Sequence, residues 1–502
     1  MERRFRQRLD ELLADAEVYP CLLRGALSRL ETFLEPFTDA LASRERRTNA
    51  HHYVGGLLSD LRSKDVESIA YSHDRERQGL QKFIGQVLWD HRPLVREPAR
   101  QVGAELGEAD GVLVFDPSSF AKKGAKSVGV QRQWCGRLGK VENCQVGVYL
   151  GHVSREGHAL VDFRLHLPKE WTGDRKRMNE AGVPRGVRFR ARHGLALDML
   201  DERGGSLPHG WVAGDDEMGR SSWSRRELRS RGESYLLAVP SNTPVRDLVP
   251  PDPPYSGRGR HPRVPFVRAD LWREGLAEDD WETIDVRDGE KGPLVVQAAW
   301  TAVQAKAEGE VSDVAESLVA FRERRGDGTW EHDYLPSNSI EAEPLAEFAR
   351  VYEAEHRVEE SPKRARSEAG LGGYPVRTWE GWHHHQTLSL LATWSLTEEA
   401  RRGKNTDTGV DGAAGAGADR GDARPEAAGS QSGPHLSHDE SPPETQRGST
   451  PLPLASAQTL TLTAARATHI MDTVELEWLR TVSVPSPLGL GGGGQYQQDR
   501  GR

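Results

Sequence analysis

Three acidic residues, Asp116, Asp215 and Glu359, are spaced so that chemistry could be shared between them. Asp116 closes the apolar run Val112-Leu113-Val114-Phe115, and Asp215 closes Trp211-Val212-Ala213. Both runs suit buried strands, and α/β folds present polar groups to ligands just past strand ends. Glu359 belongs to the stretch VYEAEHRVEESPKRARSEAGLGG. There Tyr352, Glu355, Glu359 and Arg366 fall at i, i+3, i+7 and i+14, positions that share one face of a helix. That face is polar and is not a core stripe. Carboxylates that converge from separate elements can hold a pair of divalent ions roughly 3.5–4 Å apart for phosphodiester cleavage. Mg²⁺ keeps several waters, so two or three carboxylates suffice. Any single aspartate at a strand end is more often a cap or turn residue, and the case rests on all three together.

The neighbours of these residues add charge. Lys122, Lys123, Lys126, Arg132, Arg137 and Lys140 crowd the segment after Asp116. They read as a ribbon that grips phosphate, against the plainer reading of a solvated hairpin. Trp134 could stack on a base, but a packing role is the expectation. Asp216 competes with Asp215, and Glu360 with Glu359. One helical step turns Glu360 about 100° off the shared face. His383-His384-His385 has no CxxC or HxxxH companion, so helix or strand surface is expected rather than zinc.

The elements that must position these groups follow from periodicity. Residues 1–105 read as an N-terminal helical domain, a candidate for binding DNA. Its apolar faces are Phe5/Leu9/Leu12/Leu13, then Leu27/Leu30/Phe33/Leu34/Phe37/Leu41, then Leu80/Phe83/Ile84/Val87/Leu88, with Pro20, Pro93 and Pro98 as punctuation. The basic run Arg44, Arg46, Arg47, His51, His52 is expected between helices. Residues 106–240 carry three strands, a helix, a strand, a helix and a strand, which predicts a mixed α/β sheet flanked by helices. Residues 241–340, with proline-rich turns and a basic patch at Arg258, Arg260, Arg263 and Arg268, read as a β-rich insertion. Residues 341–396 supply the last helix and a closing segment. Residues 397–502 form a low-complexity tail: from Thr397 to Glu477 there is no aromatic residue, and such a chain cannot bury enough apolar surface to fold.

Composition bounds the rest. A chain of 502 residues with 36% hydrophobic and 28% charged residues needs several domains. No apolar run is long enough to span a membrane, and no signal core is visible near Met1. Three cysteines without a CxxC pair suit a reducing cytoplasm. The net charge of −9 does not advertise nucleic-acid binding, so local clusters carry that argument.

VFDPSSFAKKGAKSVGVQRQWCGRLGKVENCQVGVYL resembles the first catalytic block of bacterial insertion-sequence transposases of the DDE superfamily. VAGDDEMG resembles the second block, with Asp215 as its aspartate. Tyr352-x2-Glu355-x3-Glu359-x6-Arg366 resembles the third signature, Tyr-x2-Arg-x3-Glu-x6-Lys, and VRTWEGWHHHQTL resembles the sequence after it. The resemblance covers roughly residues 5 to 396. It implies an RNase H-like catalytic domain with a β-rich insertion before the glutamate, which fits the 144 positions from Asp215 to Glu359. It further implies Asp116, Asp215 and Glu359 as catalytic and metal-binding residues, two Mg²⁺ ions (Mn²⁺ may substitute), and Lys122, Lys123, Lys126, Arg132, Tyr352 and Arg366 as DNA contacts. The implied substrates are double-stranded DNA, namely terminal inverted repeats and a target, handled by a dimer on DNA in the bacterial cytoplasm at the nucleoid.

Three departures keep alternatives open. The signature arginine is Glu355, the lysine is Arg366, and Pro362 follows Glu359 by three residues. A proline inside a helix costs ~3 kcal/mol unless a kink or first-turn position relieves it. A catalytically impaired or repurposed DNA-binding protein is therefore the second reading, and a sequence-unspecific RNase H-like nuclease the third.

Overall fold

The computed structural model describes residues 25–413, except 60, 74, 290–291, 308 and 340–342. The expected first helix at Phe5–Leu13 lies outside the described residues. Five helices open the described chain: α1 (Ala26–Thr38), α2 (Arg44–Leu58), α3 (Val66–Ser72), α4 (Arg77–Gly85) and α5 (Arg92–Glu105). The basic run falls inside α2, not in a loop. Ser43 caps that helix through Arg46 N, and Tyr53, Val54 and Leu57 anchor it in the core. Pro98 lies within α5 rather than ending it, while Pro93 sits in the first turn, where no backbone donor is needed.

The central sheet follows. β1 (Val112–Ala121), β2 (Gln131–Cys135), β3 (Lys140–Val153) and β4 (His158–Leu165) are antiparallel neighbours. α6 (Lys169–Gly173), α7 (Arg175–Glu180) and α8 (Arg192–Arg203) lead to β5 (Trp211–Gly214), then α9 (Asp216–Gly219), α10 (Ser222–Ser230) and β6 (Tyr235–Leu237). β5 runs parallel to β1, and β6 parallel to β5. The order β4-β3-β1-β5-β6, three antiparallel strands joined to two parallel ones, is an RNase H-like mixed sheet.

The next strands extend this sheet. β7 (Pro244–Asp247), β8 (Val267–Arg268), α11 (Ala269–Glu274), β9 (Glu282–Gly289), β10 (Gly292–Ala307), β11 (Glu310–Val311), β12 (Glu316–Arg324) and β13 (Trp330–Ser337) come in turn. β13 joins β6 through the Ser337–Leu236 pair. A buried ion pair, Arg225 on α10 with Glu316 on β12 at 2.9 Å, ties the two parts together, and the Tyr235 hydroxyl donates to the same carboxylate at 2.5 Å.

Two helices complete the molecule, α12 (Leu345–Ser367) and α13 (Trp379–Ala413). Side chains alternate across β1, so the sheet has two apolar faces. Leu113 and Phe115 pack with the N-terminal helices and with Leu388 and Leu391 of α13. Val112, Val114 and Phe120 pack with Val351, Val358 and Ala365 of α12. Helix α13 continues past the expected tail boundary at residue 397. Its extension is held by Glu399, which accepts from Arg29 at 2.7 Å, and by Arg401, which donates to Glu105 at 2.8 Å. Residues 414–502, most of the expected tail, lie outside the described residues.

Candidate active site

The register of β1 and β5 sets the site. Phe115 is paired with Gly214 in parallel, so Asp116, the next residue of β1, and Asp215, just past the end of β5, are neighbours. Alternation puts Asp116 on the face of Val112, Val114 and Phe120, and Asp215 on the face of Trp211 and Ala213. That is the face crossed by α12. Asp116 does not end its strand as expected: β1 continues to Ala121, because β3 pairs with it through Cys144.

The two carboxylates have different surroundings. Asp116 is half-buried and accepts from the Ser118 hydroxyl at 2.9 Å. Asp215 caps α9, accepting from Glu217 N at 3.1 Å and Met218 N at 3.2 Å. Burial, then the charges of Glu217, Asp116 and Asp216, push the Asp215 carboxyl up to about 8. Two of those neighbours are matched by cations: Glu217 accepts from Arg192 at 2.6 Å, and Asp216 pairs with Arg220. Asp216 is thereby turned to the helix surface, whereas Asp215 stands between the end of β5 and the start of α9. A desolvated carboxylate beside a second carboxylate is the donor set of a hard divalent cation. Two such side chains fit Mg²⁺. Among the described residues no third His, Cys, Asp or Glu completes a cluster.

Helix α12 runs along β1. Arg350 donates to Asp110 O at 2.7 Å, before β1 begins. Arg357 donates to Ser154 O at 3.0 Å, beside the start of β1. Val358 lies on Gly151, the partner of Val114. At the far end the Arg366 guanidinium stands 5.2 Å over the Phe120 ring. Glu359 follows Val358, in the stretch of α12 between those two levels, which bracket Asp116. The side chains of Glu359 and Glu360 lie outside the described residues. Pro362 does not end the helix, which continues to Ser367.

Tyr352 requires a correction. It is not offered to DNA: it is 5% exposed, stacks on Phe321 with centroids 4.4 Å apart, and donates to Asp333 at 2.6 Å. Lys123, Lys126 and Arg132 are exposed. Lys122 is turned inward, donating to Tyr374 O at 3.1 Å and standing 3.3 Å over the Tyr374 ring. Burial draws its ammonium down to about 8. Trp134 overturns the packing expectation, for it is 57% exposed.

The histidine run is not surface either. His383, His384 and His385 are all buried in α13, which other elements enclose on every side here, polar residues included. His384 faces the carbonyls of Ile84 and Trp89 at 3.0 Å each. The Gly370 carbonyl can only accept, so His385 Nε2–H donates to it at 3.1 Å. Nδ1 then accepts from the Tyr53 hydroxyl at 2.8 Å.

Supporting residues escaped the sequence reading. Tyr149, the β3 partner of Asp116, donates to Gln386 on α13 at 2.7 Å. Arg192 holds Glu217 and also donates to Gln133 at 3.0 Å, joining α9 to β2. Their partners lie tens to hundreds of positions away, and no local pattern marks them.

Comparison with known proteins bears on this geometry. A family model described as DDE superfamily endonuclease matches residues 36–293, just over half of the chain. The match takes in Asp116 and Asp215 and stops before α12. Over 116 residues the chain is 30% identical to a protein of Microchaete diplosiphon named "Probable transposase for insertion sequence element IS701". That stretch is 23% of this chain and spans 30% of the relative's length. Among the described residues no helix is long and apolar enough to cross a membrane.

Proposed function

Because the chain belongs to the DDE superfamily endonucleases, we propose that it is a DNA transposase that cuts phosphodiester bonds at the ends of a mobile element and joins them to target DNA. The adjacency of Asp116 and Asp215, one register step beyond the Phe115–Gly214 pair, carries this reading. Asp116, Asp215 and Glu359 are its catalytic and metal-binding residues, holding two Mg²⁺ ions or Mn²⁺ in their place. Bound there, the ions would supply Lewis-acid polarisation of the scissile phosphate and activation of water.

The chain's own residues do the rest. Asp116 and Asp215 project from neighbouring strands of a rigid sheet, so their separation is fixed before substrate arrives. The backbone donors of α9 and the Ser118 hydroxyl orient their oxygens. Lys123, Lys126 and Arg132 take phosphates, with Arg366 at the far end of α12. These contacts position the duplex and carry no sequence information. The N-terminal helices and the β-rich segment are assigned to element-end DNA, and two copies on DNA hold two ends.

The test is cleavage of DNA carrying the genomic repeats that flank the coding region. Wild-type protein is expected to nick at those repeats with Mg²⁺ and not with EDTA, and D116A is expected to abolish nicking. Salt-sensitive binding without nicking would instead support a catalytically impaired or repurposed DNA-binding protein, the reading favoured by Glu355 and Pro362 on α12. Cutting of DNA that lacks any repeat would support an unspecific nuclease.

A further inference from the structure

The β2–β3 hairpin carries an exposed aromatic that the mechanism above does not use. Trp134 on β2 is paired with Val141 on β3, and both are more than half exposed, with Leu138 at the turn 43% exposed. Exposed apolar groups clustered this way mark a contact surface. The opposite face of the hairpin is fastened down: Cys135 and Cys144 are buried with Val146, and Gln133 is bound by Arg192 and donates to Cys144 O at 3.0 Å. Asn143 donates to Lys122 O at 2.6 Å and Gly124 O at 2.8 Å, tying the ribbon to the lysine loop. The tip is therefore rigidly presented.

Its direction follows from register. Asp116 is paired with Tyr149, Phe120 with Gln145, Arg132 with Asn143 and Trp134 with Val141. These pairs are all separated by even steps along β3, so they share one face of the sheet. Trp134 thus stands on the Asp116 face, at most ~27 Å further along the strand at ~3.3 Å per residue. Arg132 is exposed on the same face, and Arg137 at the turn and Lys123 and Lys126 on the lysine loop are exposed as well. Glu142 and Lys140, paired at 3.3 Å, are on the opposite face of the hairpin.

An exposed indole accompanied by arginines on a hydrogen-bonded ribbon, on the face of a candidate cleavage site, fits one occupant. We propose that Trp134 is a stacking platform for an unpaired base of the DNA substrate, with Arg132 and Arg137 holding the flanking phosphates. Base–aromatic stacking supplies affinity without reading sequence. This rests on the DNA reading above and assigns to the hairpin a preference for distorted over fully paired DNA. A protein surface at the same patch would not need the neighbouring cations.

The experiment measures fluorescence anisotropy of full-length protein in EDTA, so that cleavage plays no part. The probes are a fully paired duplex of arbitrary sequence and the same duplex with a short mismatched bubble. Wild-type protein is expected to bind the bubble about tenfold more tightly. W134A is expected to lose that preference while keeping its affinity for the paired duplex, and W134F to retain most of it. A preference that survives in W134A, or is absent from wild type, overturns the proposal. So does a change in W134A confined to self-association. Wild-type protein that binds neither probe overturns the DNA reading itself, and the proposal falls with it.

Discussion

Asp116 and Asp215 lie side by side because Phe115 and Gly214 are register partners on parallel strands. Each aspartate is the residue immediately after its member of that pair, and both project toward α12. The proximity costs free energy in the absence of a cation, and this cost has measurable consequences.

The first is a pH dependence. The folded protein holds a proton on Asp215 up to about pH 8, whereas an unfolded aspartate loses it near pH 4. Between those limits the folded state binds more protons than the unfolded state, so stability falls as pH rises. Without divalent cations, the melting temperature of wild type is expected to drop across that window relative to D215N, which keeps the cap and cannot titrate. Added Mg²⁺ must expel the proton, so it is expected to stabilise wild type more near pH 8 than near pH 6. Differential scanning calorimetry with and without Mg²⁺ checks both.

A second expectation concerns the seat of α12. A Cβ at Gly151 would come within 2.8 Å of a Val358 methyl, and Val358 immediately precedes Glu359. Gly151→Ala is expected to cost about 1–3 kcal/mol by overpacking and to reduce cleavage with little change in DNA affinity. Val358→Ala in the same chain removes the colliding methyls and is expected to restore part of the activity. Loss of DNA binding in G151A, or no rescue, would count against this placement of the helix.

How far the sequence could be read depended on whether burial was one-sided. β1, β5 and α12 were legible because apolar runs or helical spacing end at charged residues. Strand β2, Gln131–Cys135, was not legible: its outward residues include Trp134, which reads as core in isolation. Helix α2 starts with a basic run that resembles a loop, and only its later turns are buried. In α13 the three histidines looked like surface because they are polar. Enclosure by α4, α2 and the chain at Gly370 buries them and supplies their hydrogen-bond partners. The Asp116–Asp215 adjacency itself depends on strand order, which no local window contains.

The histidine run gives a third test. Replacing His385 with leucine leaves the buried Tyr53 hydroxyl without its partner, while the Gly370 carbonyl keeps only Gly373 N. The expected loss is about 2–4 kcal/mol, measured by urea denaturation. Zinc chelators are expected to leave the melting temperature of wild type unchanged. A chelator-dependent shift would restore the metal reading of these residues.

The central claim is that Asp116, Asp215 and Glu359 share one set of ions, and counting bound Mn²⁺ by electron paramagnetic resonance tests it most directly. Wild-type protein on DNA is expected to bind two ions in the two-metal arrangement, and D116N, D215N and E359Q each to weaken or lose at least one. If E359Q binds both ions as tightly as wild type, Glu359 is not part of the site and the account is contradicted.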